Sequence, residues 1–295
     1  MSDTFFTAPP HWQWLVILYF FFGGLAGGSY VIAVLADFFG DASDRRLARL
    51  GYYVALPAVI IGGLLLTADL TRPDRFWHML VMSERGRPMF KSWSPMSVGS
   101  WGLMVFGGFA FLSFLAVLAE SGRAPAALSG LRHGRLGRII GALGGLSGFF
   151  LAGYTGVLLA VTNRPIWSDT PLLGLLFLVS AASISAAALI LLGLWQGVGS
   201  HSIARLSHMD GWLIVLELLV LIAFVASLGS VARVWVSGWG VLLLLGVVLA
   251  GLVVPLALHW RPRLLGGLSA PAAAVLVLVG GLVLRVVIVL AAEAV

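Results

Sequence analysis

The chain has 295 residues, 60% of them hydrophobic and 10% charged, with 17 arginines and one lysine set against 12 acids. A soluble domain carries about 25% charged residues, so this composition excludes a water-exposed surface and demands a bilayer, where an arginine excess reports on topology and gives nucleic-acid binding no support. The absence of cysteine excludes disulfides, Cys-ligated zinc, an iron–sulfur cluster held by this chain and covalent c-type haem, so any redox centre needing thiolates must sit on a partner.

Apolar runs of about 20 residues, long enough to cross about 30 Å of hydrocarbon, occur eight times. They are Trp14 to Ala36, Gly51 to Ala68, Ser97 to Leu118, Ile139 to Val161, Pro171 to Trp195, Trp212 to Ala232, Gly238 to His259 and Ala270 to Ala292. Runs this continuous lack the alternation of barrel strands. The expected fold is all-α, an integral membrane protein of eight transmembrane helices in two four-helix bundles, residues 1–168 and 169–295. The first run follows Ser2-Asp3-Thr4 with no basic n-region and no small-residue cleavage site, which predicts a retained helix. Glycines at 23, 24, 27 and 28, at 62 and 63, and at 141, 144, 145 and 148 form small-residue faces for close helix approach. They imply no phosphate site.

The second run ends in Thr67-Ala-Asp-Leu-Thr-Arg-Pro-Asp-Arg-Phe-Trp77, and the fourth in Val161-Thr-Asn-Arg-Pro-Ile-Trp167. Proline stops a helix, and Trp and Arg suit the membrane interface, so both endings read as anchors. That reading leaves Asp69 unexplained at the edge of the hydrocarbon, unless it is a simple salt bridge to Arg72, and does not explain the charge density from Arg72 to Lys91. Loops as long as 69–95 are commonly functional. This one, with Arg72, Arg75 and Trp77, is expected to dock a peripheral partner.

Later in the chain, Glu217 lies about five residues into the sixth run and Arg285 in the outer half of the eighth. Buried charges in lipid usually face a polar interior, which allows either a proton path or a structural interhelix hydrogen bond. Counting residues puts the two at different depths, so no direct pair is expected. His11, His78, His133, His201, His208 and His259 fall in loops or at run ends, which argues against paired axial ligands for a b-type haem. A secondary transporter is the rival class, but no run shows a Gly/Pro break at its centre. Iron and acid-labile sulfide co-purifying in mild detergent would separate the two readings.

Positive charge orients the bundle. The loops after the odd-numbered runs hold ten arginines, against seven cations on the other face, and against two once loop 69–95 is set aside. Both termini are then extracytoplasmic. On that orientation Tyr19 lies roughly 10 Å below the outer end of the first helix and Tyr154 roughly 10 Å below that of the fourth, at 1.5 Å per residue. Asp69 closes the second helix at the same face. Three hydrogen-bonding groups thus share the outer third of the bundle, beneath the anomalous loop. A quinone needs such a place: donors for two carbonyls, an apolar cleft for the tail, and an acid–base group for two protons.

Four ordered blocks carry a family resemblance. They are Trp12-Gln-Trp14 with Gly23-Gly-Leu-Ala-Gly-Gly28, Asp69 to Trp77, Ser94-Pro-Met-Ser-Val-Gly-Ser-Trp101, and Gly153-Tyr-Thr-Gly-Val-Leu-Leu159 running to Asn163-Arg-Pro-Ile-Trp167. Together they resemble the NrfD/polysulfide-reductase membrane-subunit family, over the first four helices and their loops. The resemblance implies a quinone-reactive anchor for menaquinone or ubiquinone in a prokaryotic cytoplasmic membrane, without haem or metal of its own. It also implies an extracytoplasmic iron–sulfur (ferredoxin-like) subunit and a molybdopterin-type catalytic subunit as partners, with membrane lipid around it. Headgroup binding by a tyrosine in the Tyr154 block and an acid at Asp69 is part of that implication. In the first helix the family pattern has a histidine and an asparagine where this chain has Tyr19 and Val16.

Overall fold

The structure is a computed structural model that describes residues 12–293. Ser2-Asp3-Thr4 and His11 lie outside the described residues. Among the described residues, eight helices are long and apolar enough to cross a membrane: α1 (Trp14–Phe39), α2 (Arg45–Asp69), α3 (Pro95–Glu120), α4 (Gly134–Ala160), α5 (Leu173–Trp195), α6 (Ser200–Ser227), α7 (Gly238–Trp260) and α8 (Ser269–Ala291). The protein is an all-α integral membrane protein. Within α1–α4, neighbours pack in the cycle α1–α2–α3–α4, and α5 packs on both α6 and α8, with α7 closing on α8. The two sets meet where α5 lies against α1 and α4.

Small residues explain how α1 approaches its neighbours. A Cβ at Gly27 would fall 2.3 Å from the Gly148 carbonyl oxygen of α4, so the two backbones touch where any side chain would hold them apart. α1 and α5 are accordingly the most enclosed spans, whereas α2, α3 and α7 turn large apolar side chains such as Leu64, Phe111 and Leu244 outward. Outward apolar side chains suit lipid tails.

Three expectations change. First, α6 begins at Ser200, twelve residues ahead of Trp212, because Gly199 opens a helix that includes the polar stretch through Asp210. Glu217 is therefore 17 residues into α6, and Arg285 is 16 residues into α8, which starts at the same face. Their depths match. Second, α7 is not regular: Leu243–Val253 adopts the wider i→i+5 winding. Pro255 has no N–H for the Gly251 carbonyl, and a helix re-registers ahead of such a gap. Third, the two Arg-Pro endings differ. Trp167 is fully buried, stacks on Trp12 at 5.4 Å and donates from Nε1 to the Ile288 carbonyl at 2.8 Å, while Arg164 Nη1 donates to the Ala292 carbonyl at 3.2 Å. That ending fastens α4 to α8 instead of sitting in the interfacial belt. In the ending of α2, by contrast, the arginines and the tryptophan, Arg72, Arg75 and Trp77, are all exposed.

Candidate functional site

On the face that carries loop 69–95, α2 and α3 border a cavity of about 680 Å³ backed by α1 and α4. Ligand pockets span about 300–1,000 Å³. Phe76, Met79 and Leu80 of the loop roof it, and Ile60 and Leu64 of α2 with Met104 and Phe111 of α3 line it while remaining exposed. The cleft therefore opens sideways between two outward-facing helices, toward the place of lipid. Tyr19, Asp69 and Tyr154, three residues from three different helices, all line this one cavity.

Each is held differently. The Tyr154 hydroxyl donates to the Pro95 carbonyl in the first turn of α3, and its ring stacks on Phe150 at 5.3 Å. The ring fits only because residue 99 is glycine: a Cβ there would lie 2.2 Å from the hydroxyl. Pro95 is set at the helix start by the Ser94 cap, whose Oγ accepts from Ser97 N at 3.4 Å. The Tyr19 ring is buried beside Gly62 and Gly23, and its hydroxyl has no protein hydrogen-bond partner among the described residues. Asp69 is the last residue of α2. Among the described residues its carboxylate has no hydrogen bond or ion pair, so the alternative of a salt bridge to Arg72 is not realised.

Above the cavity the loop folds back on α3. A short hairpin, β1 (Val81–Met82) and β2 (Arg87–Pro88), turns at Gly86 with φ +60°, a conformation that favours glycine. Trp101 Nε1 donates to the Met89 carbonyl at 3.0 Å, and Lys91 N donates to Ser97 Oγ at 3.0 Å. Arg72, Arg75 and Trp77 are exposed, with Phe90 and Trp93. The contact of Arg75 with Asp74, at 3.9 Å and open to solvent, contributes little.

Behind α1 runs a second polar group. Arg285 is fully buried and donates from Nε to the Phe20 carbonyl at 3.2 Å, and from Nη1 to Ser180 Oγ at 3.2 Å and the Gly281 carbonyl at 2.6 Å. Ser180 also faces the Glu217 carboxyl. Asp210, about two helical turns from Glu217 on α6, accepts from Ser183 Oγ at 2.6 Å and sits 3.0 Å from His259 Nε2. His259 does lie at a helix end, in the last turn of α7, and its side chain is buried against that carboxylate. Nothing in the sequence singles out Gly99 or the Pro95 carbonyl, although both lie in the Ser94 to Trp101 block. The Asp210 to His259 pair is equally hidden there, since it needs the true start of α6.

An eight-helix bundle with an apolar, laterally open cavity under a basic loop defines a multi-pass membrane protein. The sequence places it further. Residues 3–295 match the family described as polysulphide reductase, NrfD, and the protein belongs to that family. It is 30% identical to Protein NrfD of Escherichia coli (strain K12), over 96% of this chain and 95% of that one. It is 27% identical to a polysulfide reductase chain of Wolinella succinogenes, over 84% of its own length and 82% of that relative's. A shorter stretch, 41% of its length, is 27% identical to part of a selenate reductase subunit of Mesobacillus selenatarsenatis.

Proposed function

We propose that this protein is the quinone-reactive membrane subunit of a multi-subunit oxidoreductase. In this reading it exchanges electrons and protons between menaquinone or ubiquinone and an extracytoplasmic iron–sulfur (ferredoxin-like) subunit, which serves a molybdopterin-type catalytic subunit. Its place is a prokaryotic cytoplasmic membrane, with both termini outside. The observation that carries the reading is the convergence of Tyr19, Asp69 and Tyr154 on one apolar cavity that opens toward lipid. Relatives named as reductase subunits support the oxidoreductase class, and the exposed cations of loop 69–95 support a partner seated over the cavity.

A quinone, when bound, takes up two electrons and two protons on reduction. The protein offers it three polar groups with distinct roles. Tyr19 presents a hydroxyl whose proton is uncommitted and can donate to a carbonyl oxygen. Tyr154 spends its proton on Pro95, so toward the cavity it presents an accepting lone pair, suited to a ligand hydroxyl. Asp69, at the mouth, holds or passes a proton between the cavity and the loop. The apolar walls exclude water and accept the tail. Tyr154→Phe and Asp69→Asn are expected to lower quinol-coupled turnover of the complex about 100-fold, within the range for a lost acid–base group, with subunit assembly unchanged. Wild-type quinol kinetics in both variants would remove the site.

A proton route through the second half is favoured by one observation: Arg285 reaches the Phe20 carbonyl, and Phe20 is itself a wall of the cavity. The polar groups Asp210, Glu217, Ser180 and Arg285 then lead from the opposite side of the bundle to that wall. In proteoliposomes, Glu217→Gln is expected to abolish proton uptake coupled to quinone turnover while leaving electron transfer to an artificial donor intact. Unchanged coupling would assign Glu217 to packing alone.

A further inference from the structure

At the other end of the bundle from Asp69, the ends of α1, α2, α3 and α4 and the turn Ala126–Leu131 enclose a second cavity of about 910 Å³. Its chemistry is opposite to that of the first. Four arginines line it, Arg45, Arg49, Arg132 and Arg138, against two carboxylates, Asp37 and Glu120. Both carboxylates are committed to one arginine. Arg132 donates from Nε to Asp37 Oδ2 at 2.9 Å, from Nη2 to Asp37 Oδ1, and from Nη1 to Glu120 Oε2 at 2.6 Å, while Tyr52 donates to Asp37 Oδ2 at 3.0 Å. Burial works against the Arg132 charge, but the two carboxylates outweigh it and hold the group above the usual arginine range. Arg45, Arg49 and Arg138 have no carboxylate partner among the described residues, and all three face the same concave space.

We propose that this cavity binds the phosphodiester headgroup of an anionic phospholipid. Arginine is matched to phosphate by its planar fork of donors, and basic pockets between transmembrane helices are where such headgroups lodge. The surroundings favour a lipid over a free anion. Phe38 lines the cavity, and Ile139, Leu143 and Leu146, spaced three and four residues apart on α4, are exposed and run from beside Arg138 toward the middle of the span. These apolar side chains have no use for inorganic phosphate, whereas acyl chains attached to a headgroup at Arg49 and Arg138 would lie along them. Headgroups line both faces of a bilayer, so the cavity meets them in either orientation of the bundle.

The full-length protein, purified in mild detergent, is to be titrated separately with phosphatidylglycerol, phosphatidylcholine and inorganic phosphate, with bound lipid counted by native mass spectrometry and the unfolding midpoint recorded. Phosphatidylglycerol is expected to bind one per protein and raise the midpoint, and phosphatidylcholine and phosphate are expected to do neither. Arg49→Gln and Arg138→Gln should each weaken phosphatidylglycerol about fivefold, the usual contribution of one arginine at an anionic surface. Arg263→Gln, in the exposed turn before α8, should leave binding unchanged. The double variant Arg49→Lys with Arg138→Lys keeps the charge but loses the fork, and should hold phosphatidylglycerol more tightly than the glutamine variants and less tightly than the wild type, which guards against loss by misfolding. Equal retention of phosphatidylcholine, undiminished binding in the glutamine variants, or protection by inorganic phosphate equal to that by phosphatidylglycerol would each overturn the assignment.

Discussion

Gly99 shows how one missing side chain can position another. Its bare Cα lets the Tyr154 hydroxyl reach the Pro95 carbonyl, and a methyl group there would lie 2.2 Å from that hydroxyl. Gly99→Ala is therefore expected to displace Tyr154 and lower quinol turnover about 100-fold, as misplacement by about 1 Å can do. Gly108→Ala, where nothing lies within 4 Å, should leave turnover unchanged. Equal turnover in both variants, measured with a soluble quinol, would deny the ring its role. The shared depth of Tyr19, Asp69 and Tyr154 was legible in the sequence because helix rise is fixed, so counting residues from a span's end gives depth. The Gly99 seat was not, since nothing in a sequence marks which residue faces a glycine on another helix.

At the scale of elements, the two Arg-Pro-to-Trp endings look alike in sequence and serve opposite ends. In one, Trp167 turns inward onto Trp12 and α8; in the other, Arg72, Arg75 and Trp77 face outward. Tertiary surroundings decide this, and a local motif does not contain them. The exposed ending predicts a partner contact dominated by charge. Arg72→Glu with Arg75→Glu should strip iron from the complex purified at moderate salt, because reversed charge repels what the native pair attracts. Iron retained in wild-type amount would place docking elsewhere on the loop. The eight spans were legible from hydropathy, but their ends were not: the polar turns Ser200–Asp210 are helix because α5 and α7 supply partners, as Ser183 and His259 do for Asp210. The irregular winding of α7 follows from Pro255 near its end, a signal weaker than a central break.

For the whole molecule, charge asymmetry favours an orientation with both termini outside, and the cysteine-free sequence makes that proposal directly measurable. Ser83→Cys, in the loop over the cavity, should react with an impermeant maleimide on intact cells, and Ala127→Cys, in the turn at the second cavity, only after permeabilisation. The reverse pattern would invert the bundle and move the proposed partner to the cytoplasm. Another property belongs to the molecule as a whole. α1 is a partition: Tyr19 lines the cavity, and the carbonyl of the next residue, Phe20, accepts from Arg285. A change of charge in the cavity is therefore felt at a buried guanidinium across the thickness of one helix, where low polarity lets a field persist. Groups on opposite faces of α1 are thereby coupled electrostatically with no part of the bundle having to move.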